Sequence, residues 1–327
     1  MDKIRWGVLS TGKIAHTFAK GLQATADAEL YAVSSRSADK AQAFAEQYGF
    51  EKSYGSAEEM LSDPRVQAVY IASPMSCHYA DAKKCIVAGK SVLCEKTITL
   101  CTAQLDELLR LAKEKNVFFM EAMWMKTLPH FLQAKQWADE GRIGAIKHIK
   151  VDFESICKGD PDDRLFRPEL GGGALLDLGV YPLTFTMAFL GEPEKITAHA
   201  LMKNGVDYDD TVLLEYNQAF AALNFGFDIK SENAATIVGE NGLIVMDNWF
   251  FCGQNVKLYD KNNVQIDEKY FPHPRTGYEY EIAEVNRCIR AGLKESQLVP
   301  HSGTRAVMLV IDEIKRRIGL SFPNENI

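Results

Sequence analysis

The sequence predicts an α/β protein: an N-terminal doubly wound parallel sheet, followed by an α+β region with a mostly antiparallel, open-faced sheet. Two observations carry this. Through the N-terminal part, short apolar runs alternate with segments of helical period, the pattern of strand–helix–strand units. After about residue 125 the rhythm changes to runs that alternate apolar and polar, such as DTVLLEYN and AALNFGFD, with few helices between them; such strands cover one sheet face and leave the other open. The 327 residues exceed one compact domain, and the division expected is 1–122 and 123–327.

Taken in order, KIRWGVLS (3–10) reads as a buried strand ending in a turn, and 13–22 as a helix. AELYAVSS (28–35) is a strand, and ADKAQAFAEQYG (38–49) a helix closed by Gly49. VQAVYIA (66–72) is a strand, 77–88 a helix ending at Gly89, and SVLCE (91–95) a strand. Thr102 is the expected N-cap of a helix over 103–115, and VFFME (117–121) is the next strand. A helix fits 128–140, stopped by Gly141. Strand runs follow at 145–154, 195–202, 211–216, 220–227, 234–238, 243–247 and 256–259, with a helix over 174–190 among them and amphipathic helices at 278–291 and 303–318 at the end. An open sheet face commonly finds a partner, so a homodimer or higher homo-oligomer through the C-terminal sheet is expected.

Composition excludes several classes. The net charge of −7, from 37 basic and 44 acidic residues, argues against nucleic acid as the main partner. No apolar run reaches the roughly 18 to 20 residues that span a bilayer, so no membrane partner is expected. The first strand begins so early that no signal peptide is expected. Seven cysteines, at 77, 85, 94, 101, 157, 252 and 288, form no CxxC pair, and a cytoplasmic protein with reduced thiols is the simplest reading. The seven histidines show no HxxH or HExxH spacing, so no metal is expected.

The first strand-to-helix turn, Ser10-Thr11-Gly12-Lys13-Ile14-Ala15, follows the dinucleotide fingerprint GxGxxA with serine at the first glycine. Gly12 falls where backbone must approach a pyrophosphate, and Ala15 where the helix packs on the strand. A NAD-binding domain usually carries an acid at the end of the second strand. Here that place reads Ser34-Ser35-Arg36-Ser37, without an acid. An arginine grips a ribose 2′-phosphate that a carboxylate would repel, with Ser35 and Ser37 as hydroxyl donors. NADP(H) is therefore the expected cofactor and NAD(H) the second choice; the alternative for Arg36 is a solvated loop charge. Ala72-Ser73-Pro74 ends the 66–72 strand at the sheet edge where ligands bind in open α/β folds. His78 opens the next helix, either facing the cofactor or serving as a helix-cap or packing residue.

Two further groups carry chemistry. Glu95-Lys96 ends the 91–95 strand. Beside a nicotinamide, the Lys96 ammonium can hydrogen-bond a substrate hydroxyl and favour its deprotonated form; the alternative is an ordinary solvated charge. GGGALLDLGVYPL (171–183) sets Asp177 and Tyr181 four residues apart, on one face of a helix. Gly179 and Pro182 fall inside that helix, where proline alone costs about 3 kcal/mol, and local rules tend to break at functional sites. The competing reading is a kinked core helix in which Tyr181 merely packs.

The ordered set WGVLSTGKIA, CEKTITL, EAMWMKTLPH, RLFRPELGGGALLDLGVYPL and YEYEIAEVNRCIRAGLKES resembles the glucose-fructose oxidoreductase, inositol dehydrogenase and MocA (Gfo/Idh/MocA) family over nearly the whole chain. It is most similar to the branch that includes dimeric dihydrodiol dehydrogenase. The resemblance implies a Rossmann domain and a substrate-binding and oligomerisation domain. It implies hydride transfer between NADP(H) and the CH–OH or C=O group of a sugar, cyclic polyol or vicinal diol. By the same resemblance Lys96 is the active-site lysine that holds the substrate oxygen, Tyr181 exchanges the proton and Asp177 orients the lysine or the substrate. Trp124, Lys126, Arg164 and Phe166 are the implied substrate contacts, with packing as the alternative for Phe166 above all. Thr97 stands where the family has proline, Lys126 where it has arginine, Leu128 where it has phenylalanine and Met75 where asparagine is common; these departures bear on the substrate more than on the cofactor. Other readings are an NAD-retaining glycosidase of the same fold and a non-catalytic NADP(H)-binding regulatory protein.

Overall fold

Six short strands build the first sheet: β1 (Ile4–Leu9), β2 (Ala28–Ser34), β3 (Lys52–Tyr54), β4 (Ala68–Ile71), β5 (Ser91–Glu95) and β6 (Phe119–Ala122). The computed structural model describes residues 2–157 and 163–325. All neighbouring pairs are parallel, in the order β3-β2-β1-β4-β5-β6, the doubly wound arrangement. Strands covered on both faces must be apolar throughout, and β4 and β6 are buried at every position. The connecting helices are α1 (Lys13–Ala24), α2 (Ala38–Tyr48), α3 (Ala57–Ser62), α4 (His78–Val87) and α5 (Thr102–Lys115). Gly49 closes α2 at φ +84° as expected.

Several elements depart from the sequence expectation. β3 and α3 had no apolar signal: β3 is three residues at the sheet edge, two of them exposed. Thr102 does not cap α5; it is the first helical residue, and Cys101 holds the cap position without a side-chain bond. The α5 register starts one residue early because the Leu105 amide donates back to the Cys101 carbonyl.

The second sheet follows α6 (Pro129–Asp139). Its strands are β7 (Ile146–Glu154), β8 (Lys195–Lys203), β9 (Val206–Glu215), β10 (Phe220–Gly226), β11 (Ala235–Gly239), β12 (Gly242–Met246), β13 (Asn255–Asp260) and β14 (Gln265–Tyr270), with α7 (Val180–Leu190) between β7 and β8. The order is β14-β13-β12-β11-β7-β10-β9-β8. Only β7 and β10 pair in parallel; the other pairs are antiparallel. β14 escaped the sequence reading because it has no apolar face: five of its six residues are exposed.

The expected helix over 174–190 is not uniform. Leu175–Gly179 forms a π turn, and α7 starts only at Val180. Two local features account for this. The ring of Pro182 denies the helix one i→i−4 bond and crowds the preceding turn, a strain that a wider turn relieves. At Gly179 a Cβ would lie 2.6 Å from the Phe225 ring, so only glycine lets the turn seat against β10. The stretch Pro168–Leu190 is long and apolar enough to cross a bilayer by composition, but 78% of its apolar 18-residue window is buried within the protein.

The last two helices are α8 (Tyr278–Arg290) and α9 (His301–Ile318). Whereas the sequence reading drew one boundary after residue 122, the compact units are discontinuous: residues 1–127 with 273–302, and 128–272 with 303–327. In the first unit α8 is anchored along its length. Tyr278 and Ile282 close on Gly21 of α1. The Trp6 indole N–H donates to Asn286 Oδ1 at 3.0 Å, and Arg290 pairs with Asp27.

Candidate active site

The first unit gathers its candidate residues at the carboxyl ends of the parallel strands. Beyond β1, Ser10 holds φ +87°, the left-handed region that favours glycine; the turn thus retains the conformation that explains a glycine at this place. Gly12 differs. Its φ of −71° suits any residue, and a Cβ there would meet only the Ala72 carbonyl at 3.6 Å and Ser10 Oγ at 3.8 Å, ordinary contacts. The fold does not require glycine at 12; a ligand approaching the backbone would. Lys13 and Ile14 open α1, whose first turn carries neither an acid nor a side-chain cap, leaving amide donors for an anion. We expect Gly12→Ala to leave the melting temperature of the ligand-free protein unchanged while weakening dinucleotide binding about tenfold or more, a loss of about 1.4 kcal/mol. Thermal melts and a binding titration check the two halves separately.

Beyond β2, Ser35 is half-buried and Arg36 exposed. Ser35 Oγ accepts the Ser37 amide at 3.4 Å. Ser37 is the N-cap of α2, its Oγ accepting the Lys40 amide at 3.4 Å, so its hydroxyl already has a structural task. The Arg36 charge is felt by Asp81 of α4.

Beyond β4 and β5, two loops are tied together. The buried His78 places Nδ1 2.9 Å from the Thr97 carbonyl and Nε2 3.0 Å from the Ser73 carbonyl. Carbonyls only accept, so whichever ring nitrogen carries a proton donates to the carbonyl it faces. His78 thus joins the Ser73-Pro74 turn to the Lys96 loop. That loop is fastened elsewhere too. The Lys96 amide donates to Glu95 Oε2 at 3.1 Å, the Ile98 amide to Glu121 Oε1 at 3.2 Å, and the Tyr70 hydroxyl to Glu95 Oε1. The Lys96–Thr97 peptide is cis. The backbone around Lys96 is therefore fixed on several sides, while Lys96 itself is only half-buried.

Glu281 of α8 lies near Glu95. It is wholly buried, and neither carboxyl oxygen meets a donor among the described residues. Burial, and then the Glu95 charge, push its pKa well above the carboxylate range, so the folded protein holds it neutral. The unfolded chain ionises this group near pH ~4.3. Above that pH, and up to the raised folded pKa, the folded state binds the extra proton, and stability falls as pH rises. In Glu281→Gln this slope should flatten by about 1.4 kcal/mol per pH unit. Urea titrations at a series of pH values would show it; parallel wild-type and variant curves would mean Glu281 is not held neutral.

Trp124 is buried and stacks on Tyr278 at 4.5 Å between ring centroids. Lys126 follows in the same turn; burial lowers its pKa while the Glu121 charge opposes the shift.

In the second unit, the three glycines ahead of Asp177 make a tight turn. A Cβ on Gly172 would stand 2.6 Å from the Arg164 carbonyl. Gly173 takes φ +115°, and a Cβ there would fall 2.1 Å from Asp207 Oδ1. Asp207, on β9, accepts the Leu175 amide and so caps the turn that leads to Asp177. Arg164 donates to Asp177 Oδ1 at 3.0 Å; with Arg164 half exposed, the pair orients more than it stabilises. Tyr181, one turn further, is buried with its ring against Phe251 at 4.8 Å and Phe153 at 5.7 Å. Phe166 is buried among Tyr208 and Phe227.

Four of these participants were not singled out from the sequence: Tyr70, Glu121, Asp207 and Glu281. Glu281 left a signal, since it lies on the stripe Tyr278, Ile282, Val285, Cys288 that α8 buries; an acid on an apolar stripe stands out.

Comparison with known proteins agrees with the fold. Residues 4–123 match the oxidoreductase family model with an NAD-binding Rossmann fold. Residues 131–245 match the GFO/IDH/MocA C-terminal domain. The trans-1,2-dihydrobenzene-1,2-diol dehydrogenase of Xenopus laevis is 32% identical over 330 residues, covering 98% of this chain and 99% of the relative. The Homo sapiens enzyme of the same name is 31% identical over 338 residues, covering 98% and 99%. Among solved structures, the 3-ketoreductase KijD10 of Actinomadura kijaniata, in complex with NADP and TDP-benzene, has a TM-score of 0.87 at 25% identity, covering 97% and 98% of the two chains. An aldose-aldose oxidoreductase from Caulobacter crescentus shares the fold at TM-score 0.87 and 21% identity, covering 96% and 97%.

Proposed function

This chain belongs to the Gfo/Idh/MocA oxidoreductase family, and from that premise we propose that it transfers a hydride between NADP(H) and the CH–OH or C=O group of a vicinal diol, sugar or cyclic polyol. One observation carries the reading: the fastened Lys96 loop sits at the strand ends that also hold a glycine turn with no structural need for its glycine. A dinucleotide supplies the hydride chemistry; the residues supply placement and a proton. Lys96 is assigned the substrate oxygen and Tyr181 the proton exchange with it. Asp177 orients the substrate, itself held by Arg164. Trp124, Lys126 and Phe166 are assigned to the shape of the substrate site.

NADP(H) is preferred because Arg36 is exposed where an NAD-binding domain carries an acid. NADP in the complex of KijD10 agrees with this choice, and NADH in a levoglucosan dehydrogenase of the same fold keeps NAD as the second. A homo-oligomer through the second sheet is also proposed, since Leu201, Met202, Phe220, Ile266 and Tyr270 are large apolar side chains exposed on its strands. The free thiols of all seven cysteines suit a cytoplasmic protein.

The test follows NADP⁺ and NAD⁺ reduction in parallel across trans-dihydrodiols, aldoses and inositols. Reduction of NADP⁺ in preference to NAD⁺ supports the reading. Silence with every pool in both directions, despite tight NADPH binding, would overturn the enzymatic assignment.

A further inference from the structure

β9 carries three acids in the run Val206-Asp207-Tyr208-Asp209-Asp210. Strand alternation sends residues an odd number apart to opposite faces, so Asp207 and Asp210 should part. They do not: both are buried. The cause is one inserted residue. Leu201 of β8 pairs with Asp209, but the next residue, Met202, pairs with Asp207, leaving Tyr208 as a bulge. A bulge re-aims the side chains around it, and this one turns Asp207 onto the face of Asp210.

Asp207 accepts the amide of Leu175, at the head of the helical segment that bears Asp177 and Tyr181. The Asp210 carboxyl lies close enough to that of Asp207 for the two to interact, and no donor reaches either of its oxygens among the described residues. The partners of Asp210 in the sheet are Ala200 of β8 and Phe225 of β10, both uncharged. Beyond Asp207, the charge acting on it among the described residues comes from Asp209. Two buried carboxyls in contact, with no cation between them among the described residues, cannot both ionise. Asp207 has the Leu175 amide as a donor and keeps the charge. Burial, and then the charges of Asp207 and Asp209, push Asp210 far above the carboxylate range, and it keeps the proton.

We propose that Asp207 and Asp210 share one proton and act as a positioning pair: Asp207 clamps the Leu175 amide ahead of Asp177 and Tyr181, and neutral Asp210 holds Asp207 in place. The proposal rests on the assignment of Asp177 and Tyr181 given above. Removing the shared proton would set two anions side by side and release the clamp, so the segment bearing both residues should loosen on the alkaline side.

The experiment combines infrared spectroscopy with amide hydrogen exchange. The wild type should show, beyond the band of the neutral Glu281, a protonated-carboxyl C=O component at neutral pH that the wild-type-minus-variant difference spectrum shows to be absent from Asp210→Asn. Exchange of the 173–181 amides, corrected for its intrinsic pH dependence, should rise about tenfold or more on the alkaline side in the wild type. It should not rise in Asp210→Asn, whose amide donates where the acid did. Asp207→Ala should show that faster exchange already at neutral pH, the cost of a lost cap. With trans-dihydrobenzenediol and NADP⁺ as probes, Asp207→Ala should lower kcat about tenfold with the KM for NADP⁺ unchanged, while Asp210→Asn retains kcat. A wild-type spectrum identical to that of Asp210→Asn, or alkaline exchange that rises equally in both, overturns the pair; these two readings decide the matter even if Asp207→Ala fails to fold. If no probe turns over, the functional reading above fails, and the spectra still judge the pair.

Discussion

Lys96→Met should lower turnover by about 100-fold or more and leave NADPH affinity within about twofold. Methionine keeps the length and apolar bulk of the lysine stem and loses only the ammonium. The loop should keep its course, because its backbone is held through Glu95, Glu121 and His78. A loss confined to kcat and kcat/KM marks an interaction made with the reacting oxygen. A parallel loss of cofactor binding would instead mean that Lys96 mainly holds the dinucleotide, and unchanged turnover would remove it from the mechanism. Steady-state kinetics and a fluorescence titration with NADPH separate these outcomes.

Arg36→Glu should weaken NADPH binding by about 100-fold while changing NADH binding little. A charge-assisted contact to a phosphate contributes about 1.5–3 kcal/mol, and the new carboxylate adds repulsion. The exposure of Arg36 predicts that the variant folds normally. Only the 2′-phosphate distinguishes the two ligands, so equal losses for both would show that Arg36 does not read it. The wild-type preference should also shrink as salt is added, because the contact is exposed and screened.

Periodicity made most of the architecture legible. Buried parallel strands such as Ala68–Ile71 announce themselves as unbroken apolar runs, and helices by their stripes. Edge strands do not: Lys52–Tyr54 and Gln265–Tyr270 bury almost nothing, so no pattern marks them. The π turn at Leu175–Gly179 was foreshadowed by Gly179 and Pro182, although their local cost reveals a disturbance and not its shape. The Tyr208 bulge left no trace, since acids at 207, 209 and 210 fit a plain solvent-facing strand equally well. The two bonds of His78 were hidden for a different reason: their acceptors are backbone carbonyls, which carry no residue identity. The amphipathic pattern of α8 shows that one face is buried but not against what, and that missing partner is why the first unit was drawn as ending near residue 122.

The return of residues 273–302 to the first unit has a consequence for how the protein is made. A ribosome delivers the chain from the N-terminus, and domains usually fold as they emerge. Here Trp6 waits for Asn286, Gly21 for Tyr278 and Ile282, and the Phe119 amide for the Lys294 carbonyl. The nascent sheet would therefore emerge with the α8-facing side of α1 bare until nearly the entire protein has been synthesised. A stalled chain ending after β6 should be protease-sensitive and prone to holding by chaperones. Supplying α8 earlier, by a circular permutation that places residues 273–302 ahead of β1, should let the sheet close without waiting for the second unit.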